Sequence, residues 1–129
     1  MIERPSAASA ASGSSSASVG CAWQASAISA VVQARFNGSP VVVLGGRAPQ
    51  GRWGAGSLQE LDHVPLLASV TKLACSVSAG EDIPAVVHDA AVTALTPHRG
   101  PVFVDFPLDV VFGRASAEIP DAVVPAAAE

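Results

Sequence analysis

Charge is what this sequence has least of. Asp, Glu, Lys and Arg make up only 14% of its 129 residues, and the seven basic side chains are scattered rather than gathered into a patch. With a formal net charge of −4, no concentrated basic surface exists to neutralise phosphates, which excludes a nucleic-acid partner. No apolar run reaches the roughly 18–20 residues needed to span a membrane, so no membrane partner is expected. The amino terminus also lacks the apolar core of a secretory signal. There are only two cysteines, Cys21 and Cys75, far apart and in no C-x-x-C pair. A disulfide between them stays open, but they read best as reduced thiols, and the expected location is cytoplasmic. No internal repeat is present.

What is there is apolar. Half of the residues are hydrophobic, enough to pack one core in one domain of ordinary size. The first 23 residues are the exception. They are dominated by Ser, Ala and Gly and carry too little apolar surface to offset the entropy of ordering them, so a disordered leader is expected over 1–23. Residues 115–129, rich in Pro and Ala, read as a tail or linker, which leaves 24–114 as the structured part.

Within that part the periodicities alternate. Ile28, Val31, Val32 and Phe36 recur at helical spacing over 25–37, and Asn37-Gly38 supplies a stop. Pro40 then opens the apolar run Val41 to Leu44, a strand with no polar alternation and therefore buried on both faces, which stops on Gly45-Gly46. A short helix is expected over 55–66 and a short extended piece over 67–70. Ser78 and Glu81 have the spacing of a capping box, Pro84 suits a first turn, and Ile83, Val86, Val87, Ala90, Ala91 and Ala94 form an apolar stripe. A helix over 81–96 follows. Gly100-Pro101 leads into a second buried strand, Val102 to Phe106, closed by Pro107. Helix, strand, helix, strand is the order of an α/β fold with layers on a mostly parallel sheet. Ligands of such sheets gather at the carboxyl ends of the strands, where Gly45-Gly46 and Asp105 lie.

The residues by themselves name no chemistry. Gly45-Gly46-Arg47 matches neither the dinucleotide nor the P-loop glycine pattern, and a plain strand-to-loop turn accounts for it. Glu60 and His63 would share a helix face, yet no third metal ligand can be assigned. Ser57 sits in no nucleophile elbow. Lys72 is a lone cation among apolar neighbours, able to reach an anion or simply to extend to water. Asp105, in an apolar strand, must find hydrogen bonds, and capping a nearby turn is the expected use. Trp53, between loop glycines, can pack on a ligand or a partner subunit.

Taken in order, however, the segments resemble a known family. Ser39-Pro40-VVVLGG-Arg47-Ala48-Pro49, Gly56-Ser57-Leu58-Gln59-Glu60-Leu61-Asp62-His63-Val64-Pro65, Val70-Thr71-Lys72 and Gly100-Pro101-Val102-Phe103-Val104-Asp105-Phe106-Pro107-Leu108-Asp109-Val110 are similar to stretches of the thiamine diphosphate-dependent, acetolactate synthase-like enzymes. The resemblance covers residues 27–112 and falls in the pyrimidine-binding, amino-terminal domain of that family. It implies an incomplete pyrimidine-binding domain and 2-oxo acid carboligation, as in branched-chain amino acid biosynthesis. It implies thiamine diphosphate as cofactor, with Mg²⁺ held by a domain absent here, and leaves FAD open. It places Pro40, Gln59 and Lys72 near cofactor positions and names no catalytic or metal-binding residue. The partners it implies are a 2-oxo acid and either further copies of the chain or the missing domains of a full-length enzyme. The family's glutamate, from a His-Glu motif upstream, has no counterpart, since Glu3 is the only glutamate before Ser39, and the expected Gly-Pro-Gly near Cys21-Ala22-Trp23 is absent. The expected origin of the leader is a frameshifted or misassigned start. The reading is a family fragment inactive alone; the alternatives are a non-catalytic α/β module that joins another polypeptide, and a free-standing small-molecule binder.

Overall fold

The computed structural model describes residues 27–123, so the expectations for the leader and for the last residues of the tail lie outside the described part. Residues 27–36 are helical (α1), and the helix stops as its sequence demands. Gly38 takes φ +64°, a conformation glycine adopts without steric cost. Its N–H donates to the Arg35 carbonyl at 3.2 Å and the Ser39 N–H to the Ala34 carbonyl at 2.8 Å, the paired bonds of a Schellman stop. Of the expected stripe Val31 is buried, but Phe36 is 83% exposed.

The strands are β1 (Val42–Arg47), β2 (Ala74–Ser76) and β3 (Val102–Pro107), and they pair in parallel in the order β1-β3-β2. Position by position, Gly45 stands beside Asp105 on one side of β3, and Ser76 beside it on the other. Central β3 is buried along nearly its whole length, as its unbroken apolar run requires. β1 corrects the expectation made for it. It is an edge strand with Leu44 half exposed, and it runs on through Gly45, Gly46 and Arg47 instead of stopping at the glycines. Pro107 closes β3 from within the strand, opposite Arg47.

Helices cover both faces of the sheet, giving three layers. Val102 and Val104 point to one face and join Val77, Ala90 and Ala94 in the core beneath α3 (Ile83–Leu95). Small alanines on α3 let the helix lie close to the valines. Phe103 and Asp105 point to the other face, under α1 and α2 (His63–Ala68). A last short helix, α4 (Leu108–Val111), follows β3 directly, and residues 114–123 carry neither helix nor strand.

Three further expectations change. The helix expected over 55–66 is a loop until His63, because Gly54, Gly56 and Gln59 all take positive φ, which no helix admits. The extended piece expected over 67–70 is the end of α2 and its turn, and the strand lies later, at Ala74–Ser76. Ser78 does not cap α3. A 3-10 turn at Gly80–Asp82 intervenes and Asp82 takes the N-cap position, four residues beyond Ser78, with Pro84 in the first turn as expected. No helix among the described residues is long and apolar enough to cross a membrane.

Candidate functional site

The carboxyl end of the sheet carries the polar groups. Gly45 does not serve a ligand there. A Cβ at this position would stand 2.7 Å from two ring carbons of Phe103 and 3.3 Å from Asp105 Oδ1, so the glycine exists to let the Phe103 ring pack. At Gly46, by contrast, the nearest atom to such a Cβ is Gln59 Oε1 at 3.9 Å, which puts the Gln59 amide over the end of β1. Gln59 is held in place by its own backbone. It has φ +60°, and its carbonyl accepts from Ala48 N–H at 3.1 Å and Leu61 N–H at 2.9 Å.

Glu60 organises the loop next to it. Its carboxylate accepts the Gly54 N–H at 2.5 Å and the Ser57 N–H at 2.8 Å. These bonds, Ser57 first and Gly54 next, hold its carboxyl below the ordinary glutamate range. The side chain is therefore spent on the loop, while His63 turns inward, so the Glu60–His63 metal pair does not form. Among the described residues no group of three or more His, Cys, Asp or Glu side chains gathers as a metal site. Ser57 Oγ is buried and bonds no partner among the described residues.

His63 is the site residue whose partner sequence reasoning missed. It is the first residue of α2, fully buried, and its Nδ1 lies 3.2 Å from Asp105 Oδ2, itself fully buried. The imidazole meets Phe103 edge to face, with ring centroids 6.3 Å apart. Asp105 thus bonds a helix on the opposite layer rather than capping a turn. Burial pushes its carboxyl up from the usual carboxylate range, with His63 and then Arg47 pulling the other way. His63 Nε2, Asp105 Oδ1 and Ser76 Oγ are buried without partners. The signal in the sequence was the carboxylate in an apolar strand, which demanded a partner but did not say which.

The three residues singled out by resemblance do not come together. Gln59 is at the carboxyl end. Pro40 precedes β1 and is exposed, and Lys72 precedes β2, its N–H donating to the Pro101 carbonyl just ahead of β3, so both belong to the amino end. Lys72 is occupied there. Its Nζ donates to the Thr93 carbonyl at 2.6 Å, to Thr96 Oγ1 at 2.7 Å and to the Thr96 carbonyl at 3.3 Å, which caps the carboxyl end of α3. It lines an open cleft of about 450 Å³ together with Arg35, His98 and Arg99. A second open cleft, of about 300 Å³ at the carboxyl end, is lined by Arg47, Gln50, Trp53 and Asp62, with the Arg47 guanidinium 5.1 Å above the Trp53 ring.

Comparison with known proteins then gives the context. No protein-family profile matches the chain. Over 89 residues, 69% of this chain, it is 47% identical to the acetolactate synthase large subunit of Mycobacterium tuberculosis, and it covers 16% of that protein's length. Over 85 residues it is 38% identical to 2-hydroxyacyl-CoA lyase 2 of Caenorhabditis elegans, covering 13% of it. The chain thus spans about a sixth of the length of the acetolactate synthases it matches. Its fold is similar to benzoylformate decarboxylase from Polynucleobacter necessarius, with a TM-score of 0.70 at 21% identity, over 81% of this chain and 20% of that one.

Proposed function

We propose that this chain, homologous over two thirds of its length to part of the acetolactate synthases and 2-hydroxyacyl-CoA lyases, supplies part of the pyrimidine-binding domain of a thiamine diphosphate-dependent enzyme of that family. The observation that carries the reading is the placing of Gln59. In the homologous segment its amide is held over Gly46 at the carboxyl end of a parallel sheet, where α/β folds collect their ligands. Thiamine diphosphate, when bound, supplies the carbanion chemistry of 2-oxo acid carboligation.

The residues present fit one half of that cofactor. Gly46 lets a flat ring approach the backbone of β1, and the Gln59 amide offers one donor and one acceptor to the edge of an aminopyrimidine. The described residues gather no acidic cluster for a metal-bound diphosphate, and in this reading that half is held by a domain outside the chain. The role of this chain is to bind and orient. Glu60, by tying Gly54 and Ser57, fixes the loop that carries Gln59, and the His63–Asp105 bond fixes α2 behind it. Pro40 and Lys72, at the far end of the strands, act on the fold in this reading. With no His-Glu before Ser39, these 129 residues alone do not catalyse carboligation.

A chimera tests this. Residues 39–112 replace the matching segment of the mycobacterial large subunit. The chimera is expected to form acetolactate from pyruvate with thiamine diphosphate, and Gln59→Ala in it to raise the half-saturating cofactor concentration about tenfold, the loss of one good hydrogen bond. A folded chimera that neither binds the cofactor nor responds to Gln59→Ala refutes the reading. So does acetolactate formation by the 129-residue chain alone.

A further inference from the structure

Asn37 is the only asparagine in the sequence, and a glycine follows it. The pair stops α1, but an asparagine before a glycine also has a chemistry of its own. The backbone nitrogen of the following residue can attack the side-chain amide carbon and close a succinimide ring. A side chain on that following residue obstructs the approach, and glycine has none. Asn37 is exposed, in the turn between α1 and β1, where water and hydroxide reach it. Its surroundings favour the ring. Gln33 Nε2 donates to Asn37 Oδ1 at 3.1 Å. That bond polarises the carbon under attack and stays in place for the oxyanion that develops on Oδ1. Gly38 also lines the open cleft with Arg35, Lys72 and Arg99, and none of these cations is paired with a carboxylate among the described residues. The attacking nitrogen reacts only after losing its proton, and cations nearby favour the charge that is left. Against the attack stands the bond from Gly38 N–H to the Arg35 carbonyl. At 3.2 Å it is the longer of the two bonds in the stop, and breaking it delays the attack by no more than about tenfold.

We propose that Asn37 is a self-modifying site, converted without an enzyme to aspartate and isoaspartate through a succinimide. The Gly38 nitrogen, its proton given to hydroxide, bonds to Asn37 Cγ. The bond from Cγ to Nδ2 then breaks, and Nδ2 leaves as ammonia with a proton taken from water. Water next adds to one of the two ring carbonyls. Attack at the side-chain carbonyl opens the ring to aspartate, and attack at the backbone carbonyl opens it to isoaspartate, whose link adds a methylene to the main chain. No oxidant or reductant takes part. Both products put a carboxylate at the carboxyl end of α1, where the helix dipole disfavours it. Isoaspartate also lengthens the path from the helix to Pro40. The stop that sets the entry to β1 therefore loosens as the molecule ages. None of this depends on the cofactor reading.

The experiment holds the full chain at mildly alkaline pH and body temperature, withdraws samples over time and digests them with trypsin for mass spectrometry. The tryptic peptide 36–47 contains Asn37 and no glutamine, so the mass gained when –NH₂ becomes –OH reads this residue alone. A synthetic peptide of residues 34–44, which lacks Gln33, gives the rate without the fold. The native chain is expected to convert within about tenfold of the peptide's rate, the delay set by one weak hydrogen bond, and to yield both isomers. Gln33→Ala removes the donor to Oδ1 and is expected to slow conversion in the native chain about two- to tenfold. Gln33 is exposed and alanine is the stronger helix former, so this variant keeps α1. The proposal is overturned if Asn37 in the native chain lags the peptide by more than about tenfold. It is equally overturned if Gln33→Ala converts as fast as the parent or faster.

Discussion

Replacing Gly45 by alanine isolates one steric contact. The Gly45 backbone is outside the left-handed region, so an alanine meets no backbone strain there. What it meets is the Phe103 ring, with two carbons 2.7 Å from the new methyl. Carbon atoms pack best at about 3.5–4.0 Å, so ring or strand must yield by about 1 Å. Phe103 is only 1% exposed, so its ring cannot swing out to solvent and must shift within the core. Overpacking of this kind costs about 1–3 kcal/mol. Against it stands about 0.4–1 kcal/mol gained because alanine restricts the unfolded chain. The net expectation is a loss of about 1–2 kcal/mol in urea unfolding. Gly51→Ala is the control, because no atom lies within 4 Å of its Cβ position, and it is expected to be neutral or slightly stabilising. The sharper test is the cycle with Phe103→Leu, which removes the colliding atoms: the double variant should be more stable than the sum of the singles by about 1 kcal/mol. A Gly45→Ala protein as stable as wild type, or strictly additive effects, would refute the claim that this glycine serves the Phe103 ring.

The remaining predictions concern the buried pair and the α3 cap. His63→Ala strands Asp105 without its partner and is expected to cost about 3–5 kcal/mol in urea unfolding; a loss under about 1 kcal/mol would show that the pair does not hold α2 to the sheet. Asp105 has its folded carboxyl raised by burial, so the folded state holds that proton more tightly than the unfolded chain does. Its contribution is therefore present below the ordinary aspartate range and is lost as pH rises through the elevated folded value. Asp105→Asn, which cannot titrate, should gain stability relative to wild type as pH rises across that interval, and parallel stability curves for the two would contradict the assignment. Lys72→Met keeps the stem but removes the three bonds to Thr93 and Thr96, at an expected cost of about 1–2 kcal/mol and with faster amide exchange in the last turn of α3. Unchanged exchange there would rule out the cap.

The layer order was legible because burial writes itself into apolar runs: β3, α1 and α3 all stand where Val102 to Phe106, the 25–37 stripe and the 81–96 stripe place them. β2 was not, since three residues of Ala-Cys-Ser carry no strand signal and are recruited by pairing with β3. The loop before α2 was misread as helix because Gln59, a helix former by propensity, is held at positive φ by bonds to residues distant in sequence or further round the turn. The same limit applies at the site. Asp105 announced that it needed a partner, but only folding shows that the partner lies 42 positions away, on the helix layered above it. The family pattern singled out Gln59 and Lys72 together and could not say that they stand at opposite ends of the strands.

Lys72 is also the only lysine in the sequence. Its amine donates to three oxygens at the end of α3 while lining an open cleft, so an acylating reagent can react with it once those bonds break. Apart from the terminal amine, one reactive group then reports on one event. The ratio of its modification rate in the native protein to that in the unfolded chain is a direct reading of how often the amine leaves those three oxygens. A single amine acts there as a clock for local breathing, with no probe added to the molecule.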